Sequence, residues 1–255
     1  MDARPLAGQW SLVTGASKGI GYGIAEKLVD AGSHLALVAR DLDALTEAET
    51  KLREIAQPDQ QLVVRTADIS DRGSIGELFA WVRAELGELN VLVANAGSGS
   101  VVPFLELTAE QWDATFALNL TGTFHCLQEA ARIMVTMPEG SNRSIIAVSS
   151  IRGLGIRPGL AAYGASKSGL NQLVRTAAYE LAQYGIRVNA LSPGVTLTPL
   201  VAQNPDVLAE RIVDIPFGRP GTIEDMGEAA LFLANPASRF MTGTNTVVDG
   251  GESLY

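Results

Sequence analysis

Seven short apolar segments recur along this chain, separated by glycine turns and by stretches in which apolar residues repeat with a helical period. The fifth segment, Ser144–Ser149, is almost wholly apolar, as a strand is when both of its faces are covered. Strands that alternate with helices indicate parallel strands joined by helical crossovers. The sequence therefore predicts an α/β fold, one doubly wound parallel sheet with helices on both faces. The predicted strands are Trp10–Thr14, His34–Ala39, Gln61–Thr66, Asn90–Ala94, Ser144–Ser149, Ile186–Leu191 and Gly243–Asp249.

No internal repeat, low-complexity tract or linker interrupts this pattern. The 255 residues are 47% hydrophobic, which suffices for one large core, so we expect a single domain over residues 1–255. From about residue 195 to about 221 the chain is punctuated by prolines and only weakly helical. A stretch of this length is more typical of a lid over a binding site than of a spacer. Its mostly apolar composition favours an apolar substrate.

The net charge of −9 argues against nucleic acid and anionic membranes as partners. The only cysteine, Cys126, can form neither an internal disulfide nor a cysteine zinc site, and we expect no metal. The chain starts without an apolar signal segment and contains no run of about 18 apolar residues that could cross a bilayer. These observations predict a cytoplasmic protein that binds neither nucleic acid nor membranes.

A glycine-rich turn follows the first strand and opens a helix whose apolar face carries Ile20, Ile24 and Leu28. Glycines permit a tight turn and let the backbone approach phosphates, while the amides and dipole of a helix N-terminus favour an anion. A strand, a glycine turn and a helix in this order are the context of a dinucleotide site. The residues predicted to line it are Gly15, Ser17, Lys18, Gly19, Ile20 and Gly21.

The end of the second strand determines which dinucleotide the site prefers. An acidic residue there would bind the 2′-hydroxyl of the adenosine ribose, but this chain has Ala39 and then Arg40. A guanidinium can bind a 2′-phosphate through two parallel N–H donors, and Lys18 in the glycine turn adds a second cation. The sequence therefore predicts NADP(H) as the cofactor.

Further candidates follow the third, fourth and sixth strands. Asp68 and Ile69 would lie near the adenine, and Asn95-Ala96-Gly97 turns out of the fourth strand. Ligands of open α/β sheets bind outside the carboxyl ends of the strands, so these residues fall on the expected edge. Ser192-Pro193-Gly194 breaks the sixth strand at the same edge.

Tyr163 and Lys167 lie four residues apart at the start of a helical pattern, and Ser150 precedes Tyr163 by thirteen residues. Side chains at positions i and i+4 of a helix are neighbours, so the Lys167 ammonium could lower the pKa of the Tyr163 phenol. A proton donor held in position is worth roughly 10² to 10⁴ in rate. Ser150 would supply a second hydroxyl to a substrate oxygen. Asn119 is a polar residue amid an apolar helical stretch.

Together these motifs resemble the short-chain dehydrogenase/reductase family over essentially the whole chain. The resemblance implies a Rossmann-type sheet of about seven strands and a catalytic set of Asn119, Ser150, Tyr163 and Lys167. It implies that Tyr163 protonates the developing alkoxide, that Ser150 hydrogen-bonds the same oxygen, and that Lys167 also binds the nicotinamide ribose. Asn119 would hold a water on the proton path. The segment that would contact the nicotinamide end comprises Pro193, Gly194, Val195 and Thr198.

The resemblance also implies a homotetramer, built partly on the helices around residues 119–137 and 163–184. The expected reaction is the reversible, NADPH-dependent reduction of a small-molecule ketone to a secondary alcohol. Two enzymatic alternatives stay open: a 3-oxoacyl-[acyl-carrier-protein] reductase, for which Arg152 and Arg157 could face the acidic carrier, and a sugar or polyol dehydrogenase. A non-catalytic NADP(H)-sensing protein is a remote alternative, because all four members of the catalytic set are present.

Overall fold

The computed structural model describes residues 4–202 and 205–254. Within this part of the chain, seven parallel strands form one sheet in the order β3-β2-β1-β4-β5-β6-β7, which confirms the predicted doubly wound fold. The strands are β1 (Trp10–Thr14), β2 (His34–Ala39), β3 (Leu62–Thr66), β4 (Val91–Ala94), β5 (Ser144–Val148), β6 (Arg187–Pro193) and β7 (Asn245–Val248).

Helices cover both faces of the sheet, and each face has its own apolar core. The helices are α1 (Gly19–Asp30), α2 (Leu42–Arg53), α3 (Arg72–Trp81), α4 (Ala109–Phe116), α5 (Thr123–Met134), α6 (Ala161–Leu181), α7 (Pro199–Ala202), α8 (Pro205–Ile212) and α9 (Ile223–Ala234). Helices α3, α5 and α6 pack on one face, and α1, α2 and α9 on the other. Because both faces are covered, the central strands β4 and β5 are almost wholly apolar.

The observed bounds differ from the sequence prediction at two places near the site. Strand β6 continues to Pro193, beyond the predicted end at Leu191, because its pairing with β7 extends to Val248. The helical stretch predicted around Asn119 begins with a π-helical turn, Ala117–Gly122, between α4 and α5. Gly122 permits this turn to approach the loop after β3, since a Cβ at Gly122 would lie 1.8 Å from the Ile69 carbonyl oxygen.

Because all seven strands are parallel, their carboxyl ends meet at one edge of the sheet. The chain leaves β1 and β4 in opposite directions along the sheet, and such a switch point is where open α/β sheets bind ligands. The segment predicted to be a lid, about residues 195–221, starts at this edge after β6 ends and contains α7 and α8, although residues 203–204 fall outside the described residues. None of the described helices is long and apolar enough to cross a membrane.

Candidate active site

The turn between β1 and α1 has the geometry of a phosphate cradle. Gly15 and Gly19 have φ angles of 67° and 61°, which favour glycine. A Cβ at Gly21 would lie 2.3 Å from the Gly15 carbonyl oxygen, so the turn also requires glycine at this position. Helix α1 begins without a side-chain cap and without an acidic residue in its first turn, so its N-terminal amides suit an anion. The cradle therefore fits the pyrophosphate of a dinucleotide.

Asn95 ties the cradle to the end of β4. Its side-chain amide donates to the carbonyl oxygens of Thr14, at 2.9 Å, and Gly15, at 3.2 Å. In return, the Thr14 hydroxyl accepts from the backbone N–H groups of Asn95 and Ala96, each at 3.0 Å. These four hydrogen bonds fix the glycine turn against the neighbouring strand and place Asn95, Ala96 and Gly97 beside it.

Two positively charged side chains, Lys18 in the glycine turn and Arg40 after β2, lie near the cradle. Lys18 and Arg40 are both exposed, and the charge of Arg40 reaches Asp68. Hydrogen bonds from Ser70 lower the pKa of the Asp68 carboxyl, and Arg40 adds to this effect. Asp41, the acid nearest to the end of β2, accepts from the Ala44 N–H at 3.1 Å and so caps α2.

Lys167 and Asn119 approach Gly97 from two helices. A Cβ at Gly97 would lie 3.1 Å from Asn119 Oδ1 and 3.3 Å from Lys167 Nζ, so a larger residue at this position would crowd both side chains. Lys167 Nζ donates to the Val148 carbonyl oxygen at 2.7 Å and lies 5.8 Å from the centroid of the Tyr163 ring. The predicted neighbours Tyr163 and Lys167 are therefore together in the structure.

Asn119 is held on both sides by the backbone after β4 and by α6. Its Oδ1 accepts from the Ser98 N–H at 3.0 Å, and its Nδ2 donates to the Ser98 carbonyl oxygen at 2.8 Å. The same amide nitrogen donates to Ser166 Oγ at 3.2 Å, while Ser166 donates to the Tyr163 carbonyl oxygen at 2.8 Å. The π-helical turn presents this side chain inward, where it is fully buried.

Ser149 and Ser150 at the end of β5 face different neighbours. The Ser149 hydroxyl donates weakly to the Lys167 carbonyl oxygen at 3.4 Å, so it is directed at the helix backbone. Ser150 Oγ accepts from the Arg152 N–H at 3.1 Å and interacts with the Tyr163 phenol. The hydroxyl next to Tyr163 is thus that of Ser150, as the thirteen-residue spacing predicts.

Comparison with known proteins agrees with this geometry. The sequence model of a family described as enoyl-(acyl carrier protein) reductase matches residues 15–253. A tropinone reductase homologue of Arabidopsis thaliana is 36% identical over 253 residues, which cover 98% of this chain and 92% of that protein. The structure of a short-chain type dehydrogenase/reductase from Mycobacterium marinum superposes with a TM-score of 0.93 at 34% identity, covering 100% of this chain and 99% of the other. The chain belongs to the short-chain dehydrogenase/reductase family.

A further structural relative of this dehydrogenase/reductase is an active-site complex of Pseudomonas aeruginosa RhlG with NADP. It has a TM-score of 0.92 at 31% identity, and the coverage is 100% of both chains. Membership establishes an oxidoreductase that acts on alcohol or carbonyl groups with a nicotinamide cofactor. The cradle described above is where that cofactor would bind.

The pKa of Tyr163 departs from the sequence prediction. Burial raises the pKa of the phenol above its usual value, whereas the prediction had Lys167 lowering it. The groups that oppose the rise are the Ser150 hydroxyl and the positive charges of Arg152 and Arg211. Lys167 is not one of these groups: burial lowers the pKa of Lys167 to about 8, so Lys167 has already lost its charge at the pH where the phenol ionises.

The segment predicted to contact the nicotinamide end lies where β6 leaves the sheet. The Gly194 N–H donates to the Val248 carbonyl oxygen at 3.0 Å, and the Val195 N–H donates to Glu252 Oε2 at 2.8 Å. A Cβ at Gly19 would lie 3.5 Å from the Thr198 methyl group, so Thr198 reaches the phosphate cradle. Thr198 therefore lies beside the cradle, and Pro193, Gly194 and Val195 lie at the end of β6 that leads to it.

Two residues of this dehydrogenase/reductase site were not singled out from the sequence. Gly99 supports the Tyr163 ring, since a Cβ at Gly99 would lie 2.6 Å from Tyr163 Cδ2. Glu252 is almost fully buried and pairs with Arg152 as well as with the Val195 N–H. Gly99 could have been noticed as the second glycine after Asn95, but no local pattern marks Glu252. Among the described residues, no cluster of three or more histidine, cysteine or acidic side chains could hold a metal.

Proposed function

We propose that this enzyme reduces a ketone to a secondary alcohol with NADPH, and that the reaction is reversible. The observation that carries the proposal is the meeting of Ser150, Tyr163, Lys167 and Asn119 beside the glycine cradle, at the carboxyl edge of the sheet. A reactive phenol, a neighbouring hydroxyl and a buried cation next to a dinucleotide site suit hydride transfer to a carbonyl. A sensing protein has no use for this set.

When bound, the nicotinamide supplies the hydride to the carbonyl carbon or accepts it in the reverse direction. Tyr163 holds the proton that the alkoxide needs, because burial keeps its phenol protonated. Ser150 donates a hydrogen bond to the same oxygen, so charge is stabilised where it develops. Lys167 binds the ribose of the cofactor, and Asn119, fixed by Ser98, holds a water on the path of the proton to Lys167.

NADP(H) is the cofactor that the charges near the cradle favour. Lys18 and Arg40 are exposed cations at the end where the adenosine ribose would lie, and Asp41 is engaged in capping α2. A 2′-phosphate would therefore find two cations close together in a protein whose net charge is −9. The NADP complex of RhlG supports this choice. The proposed cofactor-binding residues are Gly15, Ser17, Lys18, Gly19, Ile20, Gly21, Arg40, Asp68, Ile69, Asn95, Ala96, Gly97, Tyr163, Lys167, Pro193, Gly194, Val195 and Thr198.

The test is the initial rate of NADPH and of NADH oxidation against a panel of ketones, β-ketoesters and a 3-oxoacyl thioester. We expect turnover with NADPH far above that with NADH, and Tyr163→Phe to remove most of kcat while NADPH still binds. Tyr179→Phe is the matched control, because Tyr179 lies on the same helix and its side chain is exposed. A Tyr163→Phe variant with a wild-type rate would refute the proposed mechanism.

The carrier-protein alternative receives less support. It relied on Arg152 and Arg157 as a basic surface for an acidic carrier, but Arg152 is committed to a buried ion pair with Glu252. A pair of that kind holds the guanidinium inward and does not offer it to a partner protein. The 3-oxoacyl thioester in the panel tests this alternative directly.

We also propose that the enzyme is a cytoplasmic homotetramer whose subunits meet on α5 and α6. These helices border a groove of about 450 Å³ that is lined mainly by apolar side chains. Exposed aromatic residues on this face include Phe124 and Tyr184. Burying such a face between copies would remove apolar area from water. Light scattering after size-exclusion chromatography should show four chains, and a 26.9 kDa species would contradict the tetramer.

A further inference from the structure

Three arginines lie around the mouth of the candidate active site, in a protein that is acidic overall. Arg152 follows Ser150 in a 3₁₀ turn, Arg157 lies in the next loop, and Arg211 is near the end of α8 in the lid. All three are partly buried. We call them the arginine cluster. Three cations this close to one another repel, and a bound anion would relieve the repulsion.

Only one member of the cluster has an ionic partner in the described part of the chain. Arg152 pairs with Glu252, whose side chain is 4% exposed, and the second carboxylate oxygen of Glu252 accepts from the Val195 N–H at 2.8 Å. Both oxygens of this carboxylate are therefore occupied. The Glu252 carboxylate pairs with Arg152, and neither Arg157 nor Arg211 forms an ion pair among the described residues.

Arg211 has a buried guanidinium atom that lacks a partner. Its Nε makes no hydrogen bond, and the side chain forms no ion pair with any residue that the structure describes. Burial lowers the pKa of Arg211, and the charges of Arg157 and Arg152 lower it further, against the opposing effect of Glu252. A half-buried cation among other cations is unfavourable unless an anion neutralises it.

One member of the arginine cluster, Arg152, lines a cavity together with Val213 and Asp214, which follow Arg211 along the chain. The cavity has a volume of about 550 Å³ and is lined by Arg152, Val213, Asp214, Pro216 and Glu252. Asp214 is exposed and makes no ion pair among the described residues, so it does not neutralise Arg211. The charges of Arg152 and Arg211 are close enough to lower the pKa of the Tyr163 phenol. An anionic group bound by Arg211 would thus be near enough to Tyr163 to belong to the same substrate molecule as the carbonyl that Tyr163 serves.

We propose that the substrate is a ketone that carries a carboxylate, bound by Arg211 with Arg157 beside it while Tyr163 serves the carbonyl oxygen. A planar guanidinium can hold both oxygens of a carboxylate through parallel N–H donors. The inference rests on the proposed reduction of ketones and adds the substrate class. It replaces the apolar substrate that the composition of the lid favours, because apolar lid residues leave the buried charge of Arg211 without a partner.

The test compares oxo acids with their methyl esters: acetoacetate, 4-oxopentanoate and 5-oxohexanoate, each against its ester, with NADPH as reductant. A hydrogen-bonded charge pair of this kind corresponds to a preference of about 10- to 100-fold in kcat/KM for the best acid. Arg211→Gln should reduce the ratio of acid to ester by about tenfold or more. Arg239→Gln is the matched control, because this exposed arginine follows α9 at the opposite edge of the sheet and should leave the ratio unchanged.

Each other result overturns the inference in a distinct way. Equal turnover of acids and esters removes the substrate class and leaves the proposed ketone reduction intact. An acid preference that persists in Arg211→Gln removes the role of Arg211. A greater kcat/KM for dihydroxyacetone phosphate or for a carrier-bound 3-oxoacyl thioester than for every free acid replaces the carboxylate with those groups. No turnover of acid, ester or uncharged ketone with either cofactor means that the proposed function itself fails.

Discussion

The buried ammonium of Lys167 should make this protein more stable as the pH rises above 8. Burial lowers the pKa of Lys167 to about 8, whereas an exposed lysine has a pKa of about 10.4. The gap between these values corresponds to about 3 kcal/mol of lost stability at neutral pH, where the ammonium is charged in both states. Between about pH 8 and pH 10 the unfolded chain keeps the proton that the native protein has released. The free energy of unfolding therefore increases with pH in this window.

The perturbation that isolates this effect is Lys167→Met in the cofactor-free protein. The substitution also leaves the Val148 carbonyl oxygen without its donor, but that loss does not depend on pH. Urea unfolding of both proteins at about pH 7 and about pH 9.5, at one protein concentration, should show the wild type gaining about 2 kcal/mol relative to the variant. Keeping the concentration fixed removes any contribution from assembly.

An exposed lysine provides the control. Lys51 forms an ion pair with Glu47 that raises its pKa, so its contribution to stability is lost, and not gained, as the pH rises through that value. Lys51→Met should therefore give no rise of the kind expected for Lys167. Wild-type and Lys167→Met proteins whose free energies of unfolding stay parallel from pH 7 to pH 9.5 would refute the reasoning, because Lys167 would then titrate alike in both states.

Three further substitutions test other parts of the site. Gly99→Ala should lower kcat by about 10²-fold, since its Cβ would displace the Tyr163 ring, while Gly76→Ala, which meets nothing within 4 Å, should leave kcat unchanged. Arg40→Ala should raise KM for NADPH by about tenfold and leave KM for NADH unchanged; an equal rise for both cofactors would contradict the predicted phosphate contact. Glu252→Gln should lower the free energy of unfolding by about 3 kcal/mol in urea, because it leaves Arg152 buried without its partner.

The sheet and the cofactor cradle could be predicted because their signals are local. A strand covered on both faces is apolar along most of its length, as β5 is, and the glycines between β1 and α1 are required by the backbone of that one turn. The positions of Ser150 and Lys167 followed from strand and helix periods in the same way. The resemblance to the family, which covers the whole chain, then predicted that the residues carrying these local signals form one site.

Features that depend on packing between distant segments could not be predicted. The π-helical turn that holds Asn119 has no propensity signal and depends on Gly122 meeting the loop after β3. Arg152 and Glu252 are 100 residues apart, so no pattern in the sequence pairs them. The predicted direction of the Tyr163 pKa shift was wrong for the same reason. The spacing to Lys167 is visible in the sequence, whereas the burial that dominates the pKa is a property of the packed fold.

The two basic residues whose pKa burial lowers at this site, Lys167 and Arg211, differ in one respect that separates their roles. Lys167 has a fixed acceptor within the protein, the Val148 carbonyl oxygen, which orients the ammonium whether or not a ligand is present. Arg211 lies beside two like charges, and its buried Nε has no acceptor among the described residues. A buried cation is costly in both cases, but only the second cost is relieved by a bound anion. In the proposed function, Lys167 therefore belongs to the machinery common to any ketone, and Arg211 to the recognition of a particular one.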